Sequence, residues 1–99
     1  MPDEPVTLIN AFEVPPEDAT RFLAAWETVR DYLETQPGYI DAALHQSIAP
    51  GADFQFVNVA HWASAEAFQA ATGSPGFVDR AAALANYKPQ ASLYRVVRT

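Results

Sequence analysis

No cysteine occurs among the 99 residues. Disulfides, thiolate metal sites and cysteine nucleophiles are therefore excluded together, and the redox state of the compartment leaves no mark on the chain. Basic side chains are scarce as well: six Lys and Arg stand against twelve Asp and Glu, for a net charge of −6. The first fifty residues carry nine of those acids against Arg21 and Arg30 alone. With no basic stripe to neutralise phosphates, nucleic acid is not an expected partner. No apolar run approaches the ~20 residues that span a bilayer, and "MPDEPVTLIN" lacks the basic and long apolar regions of a signal peptide. The expectation is a protein of the cytoplasm that makes no use of a membrane. Two histidines without a carboxylate at motif spacing make a poor metal case, so none is expected.

What is abundant is apolar surface, at 49% of residues. That suits a single domain over residues 1–99, with a core thin enough that pairing with a second copy would add stability. In residues 5–14, "PVTLINAFEV", Val6, Leu8, Asn10, Phe12 and Val14 alternate with Thr7, Ile9, Ala11 and Glu13, which predicts a first strand. "PPED" stops it and opens a helix, since proline suits a first turn and Glu17 and Asp18 complement the helix N-terminus. Phe22, Trp26, Val29 and Leu33 then recur at helical spacing as far as "QPG" at 36–38, where the residue before proline leaves the helical region.

A second strand is predicted from about Tyr39 to Ile48, its more apolar side being Ile40, Ala42, Leu44 and Ile48. After the turn "APGAD", a third runs from Phe54 to Trp62. Ser64 is a suitable cap for a short helix with Phe68 and Ala71 on its apolar side, and "SPG" restarts a second in which Phe77, Ala81 and Leu84 share a face. Alternation returns after "NYKPQ" for a fourth strand, with Ser92, Tyr94 and Val96 on one side and Leu93, Arg95 and Val97 on the other. The order β-α-β-β-α-β is the ferredoxin-like, split βαβ arrangement of an α+β domain, a four-stranded antiparallel sheet with helices on one face. Ile9, Ala11, Val57, Val59, Tyr94 and Val96 would then form an apolar patch on the other, which a homodimer of two facing sheets would cover.

Two residues disturb this pattern. Asn10 and Asn58 sit inside strand-like runs, where an amide is disfavoured and costs on the order of 1–3 kcal/mol if buried without hydrogen bonds. Their parity places them with Leu8, Phe12, Phe56 and Trp62, so that adjacent strands would aim both amides into one apolar space, the usual make-up of a small-molecule site. The alternative is that each pins backbone at a strand end or bulge. His45 and His61 are the only groups whose ordinary pKa suits a base near neutral pH, and both fall on the opposite parity.

Together "TLINAFEVPPED", "QPGYIDAALHQS", "FQFVNVAHWASAEAF" and "SPGF" resemble the antibiotic biosynthesis monooxygenase family of the dimeric α+β barrel superfamily. The resemblance implies a homodimer whose sheets close into a barrel, with a ligand pocket between sheet and helices in each subunit. It further implies oxygenation of a small aromatic, phenol-like molecule without a cofactor, with Asn58 and Trp62 matching an Asn and a Trp of such members. A tyrosine those enzymes use falls on Phe68 and an arginine on Ala82. Haem-degrading members share an Asn at Asn10, but their Trp and haem-ligating His fall on Ala71 and Ala81. The expected catalytic groups are Asn58 and Trp62, with Asn10 assisting. Phe12, Trp26, Phe56, Phe68, Phe77 and Tyr87 are the expected substrate-binding residues. A non-catalytic dimeric module that binds a small apolar molecule is the alternative reading.

Overall fold

β1 (Val6–Phe12) runs through the middle of the sheet, paired on one side with β3 (Phe56–Trp62) and on the other with β4 (Gln90–Tyr94). β2 (Tyr39–Gln46) lies outside β3, giving the order β2-β3-β1-β4 with every pair antiparallel. This is the ferredoxin-like order. The structure is a computed structural model and describes residues 4–99.

After β1, a 3-10 turn at Pro16–Asp18 leads into α1 (Ala19–Leu33), which buries Phe22, Trp26 and Val29. "QPG" stops α1 as expected. Gly38 has φ 88°, and a β-carbon there would collide with that of Ala67, so glycine lets the start of β2 lie against the next helix. α2 (Ala65–Thr72) is capped by Ser64, whose Oγ accepts from Ala67 N at 3.1 Å. Ser74 caps α3 (Pro75–Ala81) in the same way and also shares a 2.7 Å hydrogen bond with Tyr32 on α1. A 3-10 stretch, Ala82–Tyr87, returns the chain to β4.

The alternation along β3 is nearly complete: Phe56, Asn58, Ala60 and Trp62 are buried under the helices, while Val57 and Val59 are half-buried and His61 is exposed on the other face. β2 departs from the expected parity. A bulge between Tyr39 and Asp41 shifts the register by one residue, so Tyr39 stands opposite Trp62 and Ile40 is left 54% exposed. The strand ends at Gln46, and Ile48, in the turn beyond it, is fully exposed. β3 likewise starts at Phe56 rather than Phe54.

β4 is shorter than expected, ending at Tyr94 with Val96 and Val97 exposed outside the sheet. Its register explains why. Tyr94 pairs with Thr7, so Val96 would fall opposite Pro5, which has no N–H to offer a ladder.

Two apolar clusters fill the space between sheet and helices. One gathers Phe12, Val14, Phe22, Trp26, Val29, Phe56, Leu84 and Tyr87. The other joins Leu8, Ala60, Trp62 and Ala71, with Tyr39, Phe68 and Leu93 packed on it. Among the described residues no helix is long and apolar enough to cross a membrane.

Candidate functional site

The site is built on a register. Asn10 of β1 is directly opposite Asn58 of β3, and both alternate with residues that point to the helices. Directly opposed residues hold their β-carbons roughly 4.5–5.5 Å apart, so the two amides form a pair. Asn58 is 8% exposed and is the single buried polar residue of the described core. The side-chain oxygens of Asn10 and Asn58 are both buried without a hydrogen-bond partner in the protein. The Oε1 of Gln55 shares that condition but does not line the cavity.

Such an oxygen costs about 1–3 kcal/mol while unmet, so two side by side are a standing expense that backbone pinning would have removed. Asn10 and Asn58 both line a cavity of about 250 Å³. Leu8 and Phe12 of β1 and Ala60 and Trp62 of β3 complete its floor. Trp26, Val29, Arg30 and Leu33 of α1 form the facing wall. Phe68, Thr72 and Phe77 close one side, and Tyr39 and Ala42 of β2 and Ala91 of β4 mark its flanks. The lining is overwhelmingly apolar, with the amide pair as its polar focus.

Trp62 is fully buried, and its ring meets Tyr39 edge-on at 5.5 Å and Phe68 edge-on at 5.7 Å between centroids. This frame fixes the indole against the cavity floor. Desolvation, reinforced by the nearby charge of Glu34, pushes the Tyr39 phenol above its ordinary pKa. Tyr39 therefore remains a neutral hydroxyl at physiological pH, able to donate.

Of the residues expected at the site, Asn10, Asn58, Trp62, Phe12, Trp26, Phe68 and Phe77 meet at this one cavity. Phe56 and Tyr87 do not line it, which corrects two of the expected substrate contacts. Phe56 stacks on Phe22 at 4.8 Å, and Tyr87 packs edge-on against Phe22 at 5.3 Å, so the Phe22 ring stands as their partner. The Tyr87 hydroxyl donates to Asp18 at 3.4 Å. The 3-10 stretch that carries Tyr87 turns it into the packed cluster.

Neither histidine reaches the cavity. His61 has the carboxylate partner that spacing did not reveal, Asp41 directly opposite on β2, with Nδ1 and Oδ1 2.6 Å apart. The pair lies on the sheet face away from the helices, and His45 is exposed on that face opposite Val57. Among the described residues no group of three or more His, Cys, Asp or Glu is placed to hold a metal ion.

The bulge after Tyr39 brings that residue to the cavity's flank. Arg30 stands four residues after Trp26, a spacing that puts both on one helix face, and its guanidinium lies 5.4 Å from the Trp26 ring centroid.

A ferredoxin-like sheet, helices on one face and an apolar cavity with an amide pair on its floor define the class: an α+β domain built around an apolar cavity. The chain belongs to the antibiotic biosynthesis monooxygenase family, whose sequence model matches residues 5–83. A provisionally named monooxygenase of Shewanella loihica PV-4 is 41% identical over 97% of both chains, with a TM-score of 0.82. SnoaB, a cofactor-independent oxygenase from Streptomyces nogalater, is 28% identical over 97% of this chain and 96% of its own, with a TM-score of 0.84. A conserved protein of Methanosarcina mazei Go1 shares the fold at 14% identity, with 94% and 93% coverage and a TM-score of 0.80. A search of curated proteins finds no match.

Proposed function

We propose that this chain is a cofactor-independent monooxygenase for a small phenolic aromatic compound held between sheet and helices. The observation that carries the reading is the amide pair, two buried oxygens without protein partners on side chains that line one apolar cavity. The similarity to SnoaB supports the reaction type. In such chemistry the deprotonated substrate, a hydroxyanthrone for example, passes an electron to dioxygen. The radical pair recombines to a peroxide, which takes up a proton and loses water to leave a quinone.

The residues present suit the work that remains for a protein. Asn58 and Asn10 each offer an amide oxygen to accept from a phenolic hydroxyl and an amide N–H₂ to donate to the anion that replaces it. Trp62 supplies a flat, fixed surface against which the guest stacks, and the apolar walls exclude water from the reactive carbanion. Neither imidazole nor carboxylate lines the cavity among the described residues. Deprotonation therefore draws on the substrate's own acidity, enhanced by donors at its oxygen.

The exposed face of the sheet supports a homodimer. Ile9, Ala11, Val57 and Val59 lie there half-buried, an apolar centre that a second sheet would cover. Light scattering should give twice the chain mass.

Hydroxyanthrones offered under air, with oxygen uptake and quinone absorbance followed together, test the activity. Asn58→Ala should keep the fold and lower turnover by roughly 10²–10³, the usual effect of losing an oxyanion donor. Undiminished turnover in that variant would remove Asn58 from the mechanism. The second reading, a binding module without chemistry, is favoured by Phe68 and Ala82, which replace the tyrosine and arginine of the related oxygenases. Thermal stabilisation by the same compounds without oxygen uptake would select it.

A further inference from the structure

The oxygenation chemistry leaves one lining residue unused. Among the described residues that border the cavity, Arg30 is the only ionised side chain. That is unexpected in a chain with twice as many acids as bases. No acid lies on the described cavity wall and a single cation does, although Asp31, Glu34 and Glu27 stand near that cation outside the wall.

The guanidinium is already oriented. Its Nε and Nη2 both donate to Asp31 Oδ1 at 3.1 Å, and its position near the Trp26 ring steadies the plane. Among the described residues no side chain engages Nη1, so the end of the fork away from Asp31 is available to a ligand. The Arg30 side chain keeps 35% of its exposure, so an anion meeting it would retain part of its hydration and avoid most of the desolvation cost of a deep ion pair.

We propose that Arg30 selects substrates that carry a carboxylate on the aromatic frame, the phenolic end lying at the Asn10–Asn58 pair and the carboxylate at α1. Resting on the cavity as the substrate site, the inference adds a second recognition point on the wall opposite the first. A carboxylate is favoured over a second phenolate because its two planar oxygens match the guanidinium fork. The amide pair already serves the phenolic oxygen.

The test uses binding alone, with two ligands that the oxygenation reaction does not consume: anthraquinone-2-carboxylate and its neutral carboxamide. Titration at pH 7, followed by quenching of tryptophan fluorescence, should show the carboxylate bound roughly tenfold more tightly by the wild type. In Arg30→Gln the ratio should fall to about one, because loss of the contact with Trp26 weakens both ligands alike and cancels. Arg30→Lys should keep a reduced preference, retaining charge without the fork. Equal affinities in the wild type, or a preference that survives Arg30→Gln, would overturn the role of Arg30 while leaving the oxygenase reading intact. Failure of the wild type to bind either compound would overturn the cavity as an aromatic site, and this inference with it. Oxygen uptake enters none of these measurements, so the two failures are distinguishable.

Discussion

The two apolar clusters are made from similar residues and do opposite things. Around Phe22 the rings of Phe12, Phe56 and Tyr87 close to within 4.8–5.3 Å, and the one hydroxyl among them is answered by Asp18. Around Trp62 the aromatic neighbours stand 5.5 and 5.7 Å away, and two amide oxygens lack protein partners on side chains that line a cavity. The first region closes around Phe22, yet it shares Phe12, Trp26 and Val29 with the wall of the cavity that the second borders. Close packing and open space thus adjoin along one sheet–helix interface, and mutation can tell them apart.

The largest effect should come from the packed end. Phe22 is fully buried at the centre of its cluster, and Phe22→Ala should cost about 3–5 kcal/mol, a large share of the stability of a domain this size. Urea unfolding followed by circular dichroism would measure it. A loss below about 1 kcal/mol would mean that the cluster relaxes, and the contrast between the two ends would fail.

A smaller effect of opposite sign is expected at the other end. Asn58→Leu replaces an amide whose oxygen lacks a protein partner by an apolar group of similar size. The urea midpoint should rise, by about 1 kcal/mol in stability, because the desolvation cost of that oxygen disappears. Turnover should vanish in the same variant. If the amide pinned backbone instead, the midpoint would drop, so one substitution separates a functional amide from a structural one.

Much of this division could be read from the residues because strand parity and proline–glycine punctuation are local signals. "PPED", "QPG" and "SPG" each ended or opened an element, and parity alone put Asn10 and Asn58 with Leu8, Phe12 and Trp62. What could not be read depended on partners. The bulge at Ile40 follows the positive-φ Gly38, but its one-residue shift exists only in the register with β3. The end of β4 was set by Pro5 on the strand beside it, some ninety positions earlier. Tyr87 could reach either region from its segment, and the 3-10 geometry decided for the packed one. Arg30 was legible in principle, four residues from Trp26, but a charged residue on the margin of an apolar stripe carries no local sign of which side it faces.

The smallest expected effect concerns Tyr39, whose phenol burial holds above its ordinary pKa. In the unfolded chain a tyrosine ionises near pH 10. Between that value and the higher folded one the native state binds more protons than the unfolded state, so stability must fall as pH rises. Below pH 9 both states are neutral and the residue contributes no slope. Urea midpoints at pH 8, 9, 10 and 11 should therefore decline more steeply above pH 10 in the wild type than in Tyr39→Phe, while the two run parallel below. Parallel curves throughout would place the Tyr39 hydroxyl in water rather than at the cavity's edge. A hydroxyl that stays neutral there lies out of water on the cavity's flank, so the same titration reports whether the Trp62 side of the interface is dry enough for its proposed chemistry.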